Sequence, residues 1–332
     1  MVTTSQPCPD DPDCTSRPVI DDSKPLTRIA RTLHRPEQLS QAQRLFHGRG
    51  RAYDQLQHVT IDWLPPVVLI HLYAPEPEAD VMDLARDLAA ALPTCRSIQL
   101  QHRYLPDGPI EVVHGEPISR LTVTEGDMTF QVSLGQARNT GLFLDMRNGR
   151  RWVRGHSQDR RVLNLFAYTC GFSIAAVAGG ARAVLNVDMS SPALSVGREN
   201  HRLNLQPTAR VGFEKLDIFK SFGRLKRRGP FDLLICDPPT FQKRSVDIAR
   251  DYPKILRRLD EFMAPGATLM LCLNAPHLDR EFLTDHMAAL APRYALSTEV
   301  HPPAEFVEAE AKGLKILIFQ ECDRGSPSPP IY

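Results

Sequence analysis

No stretch of this 332-residue chain approaches the ~18 consecutive apolar residues of a membrane span. No charged-then-apolar leader opens it, so a cytoplasmic protein without a membrane partner is the expectation. An excess of one charge is missing too: 40 Lys and Arg against 39 Asp and Glu give a formal net charge of +1. The molecule is no polycation, and any nucleic-acid contact must come from local basic patches. The seven cysteines are an odd number, and Cys170, Cys236 and Cys272 fall in or beside predicted core elements. That argues against a disulfide framework and for reduced thiols. Cys8 and Cys14 are spaced too loosely, in too polar a segment, to define a metal site. There is no internal repeat. Hydrophobic residues make up 42% of the chain, enough for one large or two modest domains.

The chain divides by composition. Residues 1–25 are rich in Pro, Asp, Ser and Thr and read as a disordered tail, as does the C-terminal segment 323–332. Residues 26–136 read as an α+β accessory domain. It holds a buried strand at 67–73, a helix at 81–92 with Asp80 as its cap, and a half-exposed strand at 97–104. A hairpin over 118–134 turns at Glu125-Gly126-Asp127. From 137 to 322 strands alternate with helices. The strands lie near 161–167, 181–188, 210–217, 231–237, 267–274, 294–300 and 314–320. Helices lie near 171–180, 190–204, 247–263 and 278–290. Such alternation predicts an α/β domain with a parallel, doubly wound sheet.

Ligands in such sheets bind beyond the carboxyl ends of the strands. The first strand leads into Asn164-Leu165-Phe166-Ala167-Tyr168-Thr169-Cys170-Gly171, which has one glycine where G-x-G-x-x-G has three. Close approach of a pyrophosphate is therefore poorly supported. The second strand ends in Asp188-Met189, where a carboxylate suits the two hydroxyls of a ribose. Asp217 ends the third and Asp237 the fourth. A nucleoside-bearing ligand without a pyrophosphate fits this set, and S-adenosylmethionine is such a ligand. The fourth strand stops at Asp237-Pro238-Pro239 because neither proline can donate to a sheet.

In these motifs the chain resembles the class I S-adenosylmethionine-dependent methyltransferases, and among them the bacterial large-subunit rRNA methyltransferases of the I and K/L types. The likeness runs from about 118 to 320 and implies a Rossmann-like methyltransferase sheet of seven strands with the last antiparallel. It rests on TGLFLDMRNGR (140–150), VLNLFAYTCGF (162–172), GGARAVLNVDMS (179–190), RENHRLN (198–204), LDIFK (216–220), FDLLICDPPTF (231–241) and RDYPKI (250–255). It implies that Asn164, Phe166, Tyr168 and Gly171 line the methionine side, Asp188 and Met189 the ribose, and Asp217 and Ile218 the adenine. Phe143, Asp145 and Arg147 would pack against the cofactor. Asp237, Pro238, Pro239 and Phe241 would face the acceptor, with Phe241 stacking on a base. Cys170 stands where the family usually has a second glycine.

Methylating a cytosine carbon needs a nucleophilic cysteine. In the I type it follows the fifth strand, where this chain has Leu271-Cys272-Leu273-Asn274. Leu273 stands at the cysteine position, and Cys272, one residue away, points to the other face. Asn274 resembles the K type, whose product is 7-methylguanine. The expectation is methylation of a guanine nitrogen of ribosomal RNA, by a monomer or homodimer. A glutamine-amide methyltransferase and a non-catalytic RNA-binding relative stay open. For RNA, three basic groups stand out: Arg138, Arg147, Arg150, Arg151, Arg154, Arg160 and Arg161; Arg44, Arg49 and Arg51 around His47; and Arg224, Lys226, Arg227 and Arg228.

Overall fold

The computed structural model describes residues 25–34, 36, 38–239, 241–242, 246–310 and 312–322. The two expected tails, apart from Pro25, lie outside them with Cys8, Cys14 and Thr240, and so does the Phe241 side chain. Among the described residues no helix is long and apolar enough to cross a membrane.

Two sheets organise the chain. The first follows a short helix α1 (Ile29–Thr32) and comprises β1 (Gln43–His47), β2 (Val59–Leu64), β3 (Val67–Leu72), β4 (Ser97–His102) and β5 (Ile110–Gly115), in that spatial order. Helix α2 (Glu78–Ala91) crosses from β3 to its parallel neighbour β4, and the other pairs are antiparallel. All six positions of β2 and of β3 are buried; Val59, Ile61 and Trp63 make one face of β2 apolar, while Thr60 and Asp62 on its other face and His71 of β3 are buried polar residues. One face packs Ile61, Val68 and Ile70 on Leu84 and Leu88 of α2. On the other, Leu64, Val67 and Leu69 join the core of the larger sheet.

Two local expectations change here. Helix α2 starts at Glu78 after an N-cap Pro77, so Asp80 lies in its first turn, where a negative charge suits the helix dipole. Strand β4 is buried at five of its six positions rather than half exposed. It lies between β3 and β5, and its alternating polar residues bond inward: Gln101 to His71, Gln99 to the Ile118 carbonyl.

The hairpin forms as expected from β6 (Arg120–Glu125) and β7 (Met128–Ser133), with Gly126 at φ +63° in the turn. The larger sheet and its helices follow: α3 (Arg147–Gly155), β8 (Arg161–Leu165), α4 (Gly171–Ala178), β9 (Ala183–Asp188), α5 (Ser191–Leu203), β10 (Val211–Lys215), α6 (Phe222–Arg228) and β11 (Phe231–Cys236). After the small ribbon β12 (Phe241–Gln242) and β13 (Val246–Asp247) come α7 (Ile248–Leu256), α8 (Leu259–Phe262), β14 (Met263–Leu273), α9 (Arg280–Leu290), β15 (Tyr294–Val300) and β16 (Lys315–Glu321). The hairpin leans on this half: the Thr129 and Gln131 amides donate to the side chains of Asn204 and Asn200.

The strand order is β10-β9-β8-β11-β14-β16-β15. Only β16 runs antiparallel, between β14 and β15, as the resemblance implies. The predicted helix over 247–263 breaks at Arg257-Arg258 into α7 and α8, while Pro253 sits within α7 without an amide hydrogen to give. The chain winds outward from β8 in one direction and from β11 in the other, so the crevice between those two strands is the switch point where a ligand fits.

Candidate active site

At that point the carboxyl ends of β8, β9, β10, β11 and β14 surround a cavity of about 460 Å³. The loop after β8 forms its floor and is strained. Phe166, Tyr168 and Cys170 have φ of 57°, 47° and 65°, a region costly for residues with a Cβ. The Cys170 side chain fits because Gly197 of α5 faces it: a Cβ there would lie 2.4 Å from Sγ. Gly171 then opens α4, and the Tyr168 ring packs against Phe143 at 5.5 Å. Phe143 and Met189, 42% and 47% exposed, form the cavity's lips.

Asp188 ends β9 and takes one amide on each oxygen, Tyr168 N–H at 2.9 Å and Ser190 N–H at 2.7 Å. Each oxygen keeps a lone pair, the arrangement two vicinal hydroxyls require. Asp217 accepts the Phe219 amide at 3.0 Å and pairs with Lys220 at 3.3 Å, while buried Ile218 and half-buried Phe219 present an apolar slot. One carboxylate with both oxygens open to ribose, an apolar slot with an acid for adenine, and a glycine-poor loop fit S-adenosylmethionine and not a dinucleotide.

The other end of the cavity is charged. Burial, reinforced by the Asp145 carboxylate, pushes the Asp237 carboxyl up to about 7, against the pull of Arg150. Burial also raises Asp145, while Arg44, Arg150 and His47 draw it down. Arg150 is itself buried and held by both oxygens of Glu125, its Nε at 2.7 Å. The Tyr252 hydroxyl lies 3.1 Å from the Cys236 carbonyl and 3.2 Å from that of Cys272. It thereby ties the ends of β11 and β14, the strands that deliver Asp237 and Asn274 to the cavity.

Of the residues expected here, Phe143, Asp145, Phe166, Tyr168, Gly171, Asp188, Met189, Asp217, Ile218, Asp237 and Pro239 line the cavity together. Arg147 does not; it pairs through both nitrogens with Glu305, at 2.7 and 3.0 Å. Asn164 is buried within the sheet, donating to Asn186 at 2.9 Å, because a side chain inside β8 points into the layers and not past the strand's end. Pro238 is buried off the cavity, and the stacking role of Phe241 falls on a side chain outside the described residues. Thr169 and Asn274, read from the sequence as strand-end positions without an assigned cofactor role, line the cavity too. Sequence reasoning missed Phe219 and Arg150 as lining residues, although both lie in motifs already singled out.

The basic groups are mostly committed elsewhere. Arg150 serves Glu125, Arg154 pairs with Asp127, Arg44 with Asp62, and Arg224 and Arg228 share Glu214. Arg49, Arg51 and Arg151 stay exposed. Neither Cys272 nor Cys236 touches the cavity: both are fully buried, and burial pushes both thiols up.

The model of the S-adenosylmethionine-dependent methyltransferase family matches residues 43–320, and the chain belongs to that family. Ribosomal RNA large subunit methyltransferase I of Erwinia tasmaniensis is 32% identical over 227 residues, 65% of this chain and 57% of that protein. Ribosomal RNA large subunit methyltransferase K/L of Pseudoalteromonas translucida is 35% identical over 175 residues, 51% of this chain and 24% of that one. The chain thus spans little more than half the length of such relatives, or less. A candidate S-adenosylmethionine-dependent methyltransferase from Streptococcus mutans shares the fold, with a TM-score of 0.79 at 22% identity over 89% of this chain and 81% of its own.

Proposed function

We propose that the chain methylates a guanine nitrogen of ribosomal RNA. Bound in the cavity, S-adenosylmethionine supplies an electrophilic methyl on a sulfonium. The residues then do three things. Asp188, Asp217 and the 166–171 loop hold the cofactor; Asp237 and Asn274 face the acceptor; the strand ends tied by Tyr252 keep those two in register. Because the displacement is in-line, fixing both partners is the main contribution, and effective molarities of ~10⁵ M or more are accessible that way.

The observation that carries a nitrogen acceptor is the pair at the transfer end. Among the described residues no cysteine lines the cavity, whereas Asp237 and Asn274 do. A nitrogen lone pair needs no covalent activation, while a pyrimidine carbon does. The Asp237 carboxylate accepts a hydrogen from an amine and orients the ring edge.

The test is transfer of labelled methyl from S-adenosylmethionine to ribosomal RNA of a strain lacking the gene, with mass analysis of the nucleosides. Methylated guanosine is expected. Label in 5-methylcytidine would sink the nitrogen reading, and label in protein alone would replace it by glutamine-amide methylation.

A further inference from the structure

We infer that the acceptor base sits in a second cavity, at the junction of the two sheets, with the His47 Nε2–H as its hydrogen-bond donor and Phe306 as its aromatic wall. This rests on the methyl-transfer reading above. An in-line displacement needs the attacking atom on the side of the methyl away from the leaving sulfur. Beyond the Asp237 end of the cofactor cavity lies a pocket of about 530 Å³, and Asp145 and Asn274 line both. Its volume falls in the ~300–1,000 Å³ range of small-ligand sites. A base must leave its stack to be modified, and this is the space that receives it.

The walls come from both halves of the chain. The first sheet contributes His47 and, at the rim, exposed Arg49 and Arg51; the second contributes Phe306 and Lys312. Backbone contact too close for any Cβ locks the halves together. A Cβ on Gly50 would lie 1.8 Å from the Val307 carbonyl oxygen, and the Ala309 amide donates to the Gly50 carbonyl at 2.7 Å. The Phe306 ring lies 5.1 Å from His47, and the Arg44 guanidinium covers it at 4.7 Å. Acids are present as well: Glu310 pairs with Lys312, and Glu308 lies beside His47. Arg49, whose guanidinium also covers the Tyr73 ring at 4.2 Å, and Arg51, near Glu310, are the exposed arginines at the rim that can meet a phosphate.

His47 is set up as a donor by its neighbour. Arg44 Nη1 lies 2.6 Å from His47 Nδ1, and a guanidinium can only donate. Nδ1 must accept, so a neutral ring carries its hydrogen on Nε2. Arg44 is fixed in turn by Asp62, which His71 and Gln101 continue into the first sheet. The Glu308 oxygen lies 3.9 Å from Nε2, beyond hydrogen-bond range. His47 lines the pocket with no hydrogen bond at Nε2 among the described residues, so Nε2–H is open to a carbonyl or ring-nitrogen acceptor on a purine edge.

Four proteins test this: wild type, His47→Ala, His47→Gln and Phe306→Ala. Calorimetry with S-adenosylhomocysteine reports folding and the cofactor cavity, and affinities should agree within about threefold. Single-turnover methylation of RNA should fall about 30-fold or more in His47→Ala and Phe306→Ala. It should recover to within about fivefold of wild type in His47→Gln, which keeps an N–H donor. Near-wild-type rates in both alanine variants would overturn the assignment of the cavity. Glutamine as slow as alanine would remove the donor role. Should wild type methylate no RNA, the functional reading fails by itself. The cavity is then judged by saturation-transfer NMR with guanosine monophosphate: signal lost in Phe306→Ala supports the site, and no signal with wild type overturns it.

Discussion

The two ends of the cofactor cavity are built on different principles. At the adenosine end, the acids belong to loops that satisfy themselves. Asp188 takes amides from Tyr168 and Ser190, and Asp217 takes the Phe219 amide and caps its own turn. At the transfer end, Asp145 and Asp237 face each other across elements far apart in sequence, and burial drives both toward the protonated form. Local hydrogen bonds make a rigid receptor for a constant ligand. Opposed buried charges make a site whose properties depend on what enters it.

The sharpest way to break this contrast is Asp237→Ala. Loss of an interaction made mainly in the transition state should lower turnover about 100-fold or more, with S-adenosylmethionine affinity changed by less than about threefold. Retained turnover would make the Asp-Pro-Pro turn architecture alone. Asp188→Ala should do the reverse. Losing hydrogen bonds to a charged group, at ~1.5–3 kcal/mol each, should weaken cofactor binding by at least about tenfold, with the melting temperature little changed. Calorimetry showing unchanged affinity would remove the ribose assignment.

A smaller effect concerns pH. With Asp237 raised to about 7, its ionised, hydrogen-accepting form is lost as pH falls below that value. Single-turnover rates should drop about tenfold per unit below pH 7, and Asp237→Asn should flatten the profile at a low rate. The same shift acts on stability with the opposite sense. The folded state holds this proton between pH 4 and 7 and the unfolded state does not, so this group's contribution declines as pH rises across that window. A flat rate profile in the wild type would mean the acceptor needs no ionised Asp237, as expected for a ring nitrogen with a free lone pair.

The smallest effect belongs to Cys272→Ser and Cys236→Ser. Activity per folded molecule should stay within about twofold, at a stability cost of roughly 1–3 kcal/mol for burying a hydroxyl. A protein trapped covalently on RNA containing 5-fluorocytosine would contradict the nitrogen chemistry.

Much of this molecule is legible in its amino-acid order. Alternating strands and helices imply the doubly wound sheet, the resemblance adds the reversed β16, and Asp188, Asp217 and Asp237 after their strands do line the cavity. Legibility ends where position depends on what packs from elsewhere. Asn164 reads as part of the cofactor loop but belongs to β8, and its side chain is consumed by Asn186. Arg147 and Arg150 sit three residues apart on α3; one pairs with Glu305 and the other is buried against Glu125. Nothing in their spacing separates them, because Glu125 and Glu305 lie far along the chain.

Hydrophobic period, proline and glycine placement, and the acids after each strand are short-range properties. By themselves they determined the doubly wound sheet, its ligand-bearing edge and a cofactor without a pyrophosphate. Which arginines are neutralised, why β4 is buried, how Asp145 comes to raise Asp237, and where His47 stands were decided by the tertiary structure alone. Each depends on desolvation and on charges brought within a few ångströms by docking one sheet on the other. Those energies do not exist in the extended chain.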